Sequence, residues 1–150
     1  MKRMLLAALD VVGKVWALPY TALGLIYGLL WYLPSKLSGA QPQILFGHNA
    51  IQFIGSRGVL NRTALTLGNV ILYGVDAQPE CGGACGDSKA ILGKHEQAHT
   101  HQYQVLGILF IPVYFLMGGY KGSNRNPLER SAQQFATGEG SWWPLCLGGS

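Results

Sequence analysis

Apolar and polar positions divide the chain into stretches of different period. Residues 15–33, VWALPYTALGLIYGLLWYL, run without a charge, which at about 1.5 Å of rise per residue nearly crosses a hydrocarbon core of roughly 30 Å. Trp16, Tyr20, Trp31 and Tyr32 lie near the two ends of this run, where amphipathic rings favour the headgroup layer, and Pro34 stops it. The segment reads as a transmembrane helix. A helix buried against the rest of the chain, or attached to one face of a membrane, is the alternative that Pro19, Gly24 and Gly28 leave open. A cleaved leader fits less well, because Asp10 and Lys14 interrupt the early apolar positions and no small-residue cleavage site follows. Lys2, Arg3 and Lys14 before the span are balanced by Lys36, Arg57 and Arg62 after it, so the charge pattern sets no orientation.

From residue 41 to 74 the pattern changes to short apolar runs cut by Gly and Asn: ILF, AIQFIG, VL and ALTLGNVILYG. These read as β-strands and tight turns. The longest, residues 64–73, is an expected strand whose edge could hold an extended peptide through main-chain hydrogen bonds. An ordinary core strand would show the same pattern. A Gly-rich loop over residues 77–87 carries Cys81 and Cys85. Beyond it, SKAILGKHEQAHTHQYQVLG is expected to be a helix of about five turns from near Lys89, capped by Asp87 or Ser88. Its apolar side runs through Ile91, Leu92, Val105 and Leu106. Residues 105–117 are apolar again, yet too few to span a bilayer, which argues against an intramembrane protease. NPLERSAQQFATG then reads as a short helix, with Asn126 as cap, Pro127 in the first turn and Gly138 past the end.

These elements predict an α+β fold in 150 residues, with an apolar N-terminal helix over residues 1–36 and one small domain over 37–150. Only 12% of residues are charged, about half the globular average, so part of the surface is expected to meet lipid or a partner. The net charge of +4 comes from scattered Lys and Arg with no basic stripe, which excludes nucleic acid as the expected partner. Weak attraction to anionic headgroups accounts for it. Three cysteines are too few and too odd for a disulfide framework. A local Cys81–Cys85 bridge would need an oxidising compartment, and a second zinc site would have to recruit the distant Cys146 and His48.

The chemistry concentrates in His95-Glu96-Gln97-Ala98-His99. On a helix His95 and His99 fall about 40° apart and one turn apart in height, the separation that lets two imidazoles meet one tetrahedral ion. Glu96 lies beside that face, where it can take a proton from the attacking water and pass it to the leaving amine. Gln102 returns to the same face and could orient a ligand, while His101 points away. A catalytic zinc needs a third protein ligand. Glu129 is the candidate, although a Glu three residues after an Asn cap also fits a capping box.

The combination resembles the gluzincin group of zinc metallopeptidases, in which a Glu on a later helix completes the H-E-x-x-H site. The group's Glu-x-x-Ala-Asp pattern reads here as Glu129-Arg130-Ser131-Ala132-Gln133. The likeness also extends to small bacterial zincin-like proteins, through His99-Thr100-His101-Gln102, Leu106-Gly107 and Asn126 to Arg130. It covers about a third of the chain, roughly residues 88–136. It implies a zincin-like fold, His95, His99 and Glu129 as zinc ligands and Glu96 as general base. Gln133 stands where an Asp would buttress a ligating His.

The expected function is therefore a membrane-associated zinc metallopeptidase at a bacterial inner membrane, with a peptide or protein substrate and lipid as its partners. A non-catalytic zinc-binding or scaffold protein is the alternative. Tyr103, Tyr114, Tyr120, Arg125 and His48 are candidates to stabilise the developing oxyanion. Trp142 and Trp143 would either sit at a membrane interface or cap the core.

Overall fold

The computed structural model describes residues 2–59, 63–82, 89–119 and 125–143. Two helices come first, α1 (Lys2–Trp16) and α2 (Leu18–Leu37). Four strands follow: β1 (Gln43–Gly47), β2 (Ala50–Ile54), β3 (Ala64–Leu67) and β4 (Val70–Tyr73). Then come α3 (Leu92–Leu106), a 3-10 turn (Gly107–Leu109), α4 (Phe110–Leu116) and α5 (Pro127–Thr137). The expected α+β class holds at this level.

The strands form one mixed sheet in the order β1-β2-β4-β3, two antiparallel hairpins joined side by side through a parallel β2–β4 pairing. Every residue of β4 is buried, which only a strand covered on both faces requires. Alternation sorts its side chains. Val70 and Leu72 join Phe53 against α2, whereas Ile71 and Tyr73 join Ile54, Ala90, Leu92 and Ala136 on the opposite face. The sheet is thus sandwiched between α2 and the α3–α5 layer. Because Thr66 pairs with Ile71, it shares the α3 face, and this places a strand hydroxyl under the H-E-x-x-H helix.

The apolar run over residues 15–33 is not one helix. It breaks at Ala17, and the portion of α1 from Ala7 onward meets α2 at a bend of 66°. Pro19 explains the break: it has no N–H for the carbonyl four residues back, so one helix ends and the next starts with the proline in its first turn. Pro34 lies inside α2, which continues to Leu37 rather than stopping at the proline. Among the described residues no single helix is long and apolar enough to cross a membrane. Residues 105–117 are likewise divided, between the end of α3, the 3-10 turn and α4.

Residues 64–73 are two strands and a tight turn, not one strand. Gly68 takes φ +61° there. Thr21 of α2 ties that turn down, its Oγ1 accepting from both the backbone N–H and the Nδ2 of Asn69 at 3.0 and 2.9 Å. Helix α3 starts at Leu92, later than Lys89, and the expected caps Asp87 and Ser88 lie outside the described residues. Loop carbonyls replace a side-chain cap: Cys81 O accepts from Leu92 N–H at 2.9 Å and Pro79 O from Gly93 N–H at 2.7 Å. Helix α5 begins as expected, with Asn126 Oδ1 accepting from Leu128 N–H at 3.0 Å, and ends at a left-handed Gly138.

Candidate metal centre

His95 and His99 stand one turn apart on α3, and α5 crosses that face so that Glu129 meets them both. His95 Nε2 lies 3.3 Å from Glu129 Oε2, His99 Nε2 lies 3.5 Å from Glu129 Oε1, and the two ring nitrogens are 3.2 Å apart. All three residues are buried. Ligands about 2.0–2.1 Å from a tetrahedral zinc are separated by about 3.3 Å, close to the 3.2 Å between the two imidazole nitrogens, while each histidine approaches a different oxygen of Glu129. The group can hold a metal ion.

The capping-box alternative for Glu129 is not what the carboxylate does. Its oxygens turn to the two histidines and to Tyr114, whose Oη donates to Oε1 at 2.6 Å. Burial pushes the Glu129 carboxyl up, but hydrogen bonds from His95 and His99 and their charge outweigh it and hold the group well below the usual carboxylate range.

Gln102 settles the tautomer of His99. Its Nε2, with two hydrogens to give, is surrounded by three acceptors, Leu128 O at 3.0 Å, Ser131 Oγ at 3.1 Å and Trp142 O at 2.8 Å, so the amide oxygen must face the other way. That oxygen lies 2.9 Å from His99 Nδ1. An amide oxygen only accepts, so Nδ1 is the nitrogen that keeps its proton, and Nε2, which donates to Glu129 while the ring is protonated, is the one that would give up its proton and offer a lone pair to an ion. The backbone carbonyl of Trp142 is thereby part of the support, a role separate from either position weighed for its ring. Gln133 sits one turn beyond Glu129 on α5 and is half-buried.

The three donors line a cavity of about 670 Å³, together with Glu96, Tyr103, Tyr114 and the whole of β3. Glu96 is buried, and its Oε2 accepts from Thr66 Oγ1 at 2.6 Å. Burial, with smaller contributions from Tyr20 and Glu96, pushes the Tyr103 phenol up, so it stays neutral. Of the expected oxyanion candidates, Tyr103 and Tyr114 line the cavity. His48 does not, packing instead against Gly93 at the start of α3, and Arg125 is exposed and also outside the lining. Tyr120 lies outside the described residues, as do Cys85 and Cys146. Cys81 is half-buried in the cavity wall. His101 turns away from the centre toward Asn49, Gln104 and Trp142.

Neither Thr66 as a partner of Glu96 nor Tyr114 as a partner of Glu129 has a signature in the sequence. Thr66 sits between two leucines in a strand, and Tyr114 is one of three Tyr and Phe residues in the 110–115 stretch. The alternation of β3 could have placed Thr66 opposite Leu65 and Leu67, but only the sheet order puts that face under α3.

No protein-family model, curated protein or solved structure matches this chain.

Proposed function

We propose that the protein is a zinc-dependent metallopeptidase in which His95, His99 and Glu129 hold the ion and Glu96 is the general base. The observation that carries the reading is a buried two-imidazole, one-carboxylate set whose donor atoms lie within 4.8 Å of one another, in the wall of a cavity shared with a second carboxylate, Glu96, on the same helix as the histidines. Zinc bound there would supply Lewis acidity toward a scissile carbonyl and its attacking water at neutral pH.

The residues around it suit a peptide. β3 is the outer strand, and Ala64–Leu67 lines the cavity. Gly74 N–H donates to Thr63 O at 2.9 Å, so residues 63, 65 and 67 face β4 in the alternating ladder and the backbone groups of Ala64 and Thr66 face outward. An extended substrate can pair with those groups. The Thr66 hydroxyl meanwhile holds Glu96, so one residue orients both the substrate backbone and the base. Glu96 takes the proton from water and delivers it to the leaving amine. Gln102 and Tyr114 hold His99 and Glu129 in their donor positions, and Tyr103 offers a neutral hydroxyl at the cavity wall.

The test is zinc per chain by elemental mass spectrometry, paired with peptide hydrolysis. Glu96→Gln keeps about one equivalent of zinc and loses about 10²–10⁴-fold in turnover. Glu129→Gln loses most of the zinc. A wild type that holds zinc and cleaves no peptide in a broad substrate library, with Glu96→Gln indistinguishable from it, would make the centre structural and overturn the peptidase reading.

A further inference from the structure

Helix α2 is inside-out with respect to water. At 100° per residue its buried positions, Thr21, Gly24, Gly28 and Ser35, gather on one narrow face that packs on the sheet. A Cβ on Gly24 would lie 2.8 Å from Val70 and one on Gly28 would lie 2.6 Å from the Phe53 ring, so the sheet requires these small residues. Leu18, Leu23, Ile26, Leu29, Leu30 and Leu33 take the opposite face and are all about half exposed or more. A helix on a protein facing water shows the reverse arrangement.

The apolar face does not end with α2. Val11, Val12 and Val15 continue it on α1, and Ile108 and Leu109 continue it on the 3-10 turn. The pieces adjoin: Tyr20 Oη donates to Ile108 O at 3.2 Å, and the Trp16 indole lies over Gly107, where a Cβ would strike it. Phe115 and Leu116 on α4 are 68% and 86% exposed.

We infer that this face inserts into one leaflet of an anionic lipid bilayer, so that α1 and α2 lie in the membrane surface and do not cross it. Three observations select lipid as the occupant. Between Leu18 and Leu33 the outward face has no charged residue and, besides tryptophan, almost nothing that can form a hydrogen bond. A protein interface normally carries about one hydrogen bond per 100–200 Å². Second, Trp16 and Trp31, each partly exposed, bracket α2, and in sequence Lys14, paired with Asp10 at 2.8 Å, and Lys36, over the Tyr32 ring, flank them, a pattern that suits an interfacial helix on negative headgroups. The chain's net charge of +4 has the complementary sign. Third, α2 is tied along its length to the sheet and its turn, through Thr21, Gly24 and Gly28, which a helix standing across a bilayer would have to give up. The attachment stands independently of the peptidase reading, since none of its readouts is activity.

The experiment uses the full chain and flotation with mixed phosphatidylcholine and phosphatidylglycerol vesicles. The wild type floats, and the double variant Ile26→Lys with Leu30→Lys loses at least about tenfold in bound fraction while keeping its circular dichroism. Should that variant misfold, quenching of wild-type tryptophan fluorescence by brominated lipid decides, with the quenching expected to fall in Trp16→Phe with Trp31→Phe. Topology is read from Ala7→Cys and Leu37→Cys, with the native cysteines changed to serine, using an impermeant thiol reagent. Both positions are expected to label from the outside. Labelling from opposite sides overturns the inference in favour of a span. Failure to bind vesicles, together with an oligomer that the lysine variant dissociates, overturns it in favour of a protein interface.

Discussion

Two regions of this molecule invert the usual distribution of polarity, one on the inside and one on the outside. Between α3 and α5 the chain buries His95, Glu96, His99, Gln102, Asn126, Glu129 and Ser131. Across α1 and α2 it exposes leucine, isoleucine, valine and tryptophan. Buried polar groups are stable only when each is answered, and here a chain of partners runs from Trp142 O through Gln102 and His99 to Glu129 and Tyr114. Geometry is therefore tightly set in the interior. The apolar exterior sets no comparable geometry, because the burial of apolar surface is non-directional and asks only for area. A directional set of donors can discriminate among ligands, whereas an apolar exterior discriminates only by area.

The largest effect that would break this contrast is removal of a donor. His99→Ala should lower zinc affinity by at least about 10²-fold, measured by competition with a chromogenic chelator, because it removes one of three protein ligands. A variant that kept full affinity would show that the buried set is merely a hydrogen-bonded cluster. Gln102→Ala should come next, at about 10–100-fold in affinity, since His99 would lose the acceptor that fixes its tautomer. Gln102→Glu retains an acceptor for Nδ1 and should recover part of that loss, which separates positioning of His99 from packing.

On the outer region the packed face of α2 offers the sharper test. Gly28→Val should destabilise by about 1–3 kcal/mol in a denaturant titration, because its new atoms meet the Phe53 ring. Leu30→Gln on the opposite face should change stability in water by less than about 0.5 kcal/mol. If the two cost the same, the helix is not docked as the structure has it.

The smallest effect concerns His101, whose proton affinity is lowered from its ordinary value of 6.5, first by burial, against smaller raising contributions from Gln104 and Asp10. The unfolded chain takes up this proton at higher pH than the folded one, so the folded state loses stability as pH falls below 6.5. His101→Gln should reduce the acid sensitivity of Tm in that window and leave Tm unchanged above it. An unchanged slope would place the sensitivity at other groups.

The parts of this centre that lie on one helix were readable from spacing. A periodicity of 3.6 residues alone puts His95, His99 and Gln102 on a common face with Glu96 beside it. Glu129 was readable as a candidate, but a capping carboxylate and one turned toward two histidines look the same in sequence, and only the direction of its oxygens separates the two. Thr66 and Tyr114 were not legible as partners of Glu96 and Glu129. Neither spacing nor propensity records which strand ends at the edge of the sheet or which turn of α4 passes over α5.

The apolar run at residues 15–33 marks the other limit. Its composition demanded an apolar surrounding, and the exposed leucines of α2 bear that demand still. Composition has no direction, however, and Pro19, Gly24 and Gly28 fit a kinked span as well as a helix lying on a sheet. The order of local elements, the pairing of His95 with His99 on one face of α3 and the apolar character of residues 15–33 are short-range properties of the chain, set by backbone geometry and side-chain type. The order β1-β2-β4-β3, the meeting of Glu129 with two histidines and the docking of α2 through its small residues were decided by tertiary packing. They depend on contacts between residues tens of positions apart, and no local pattern encodes those distances.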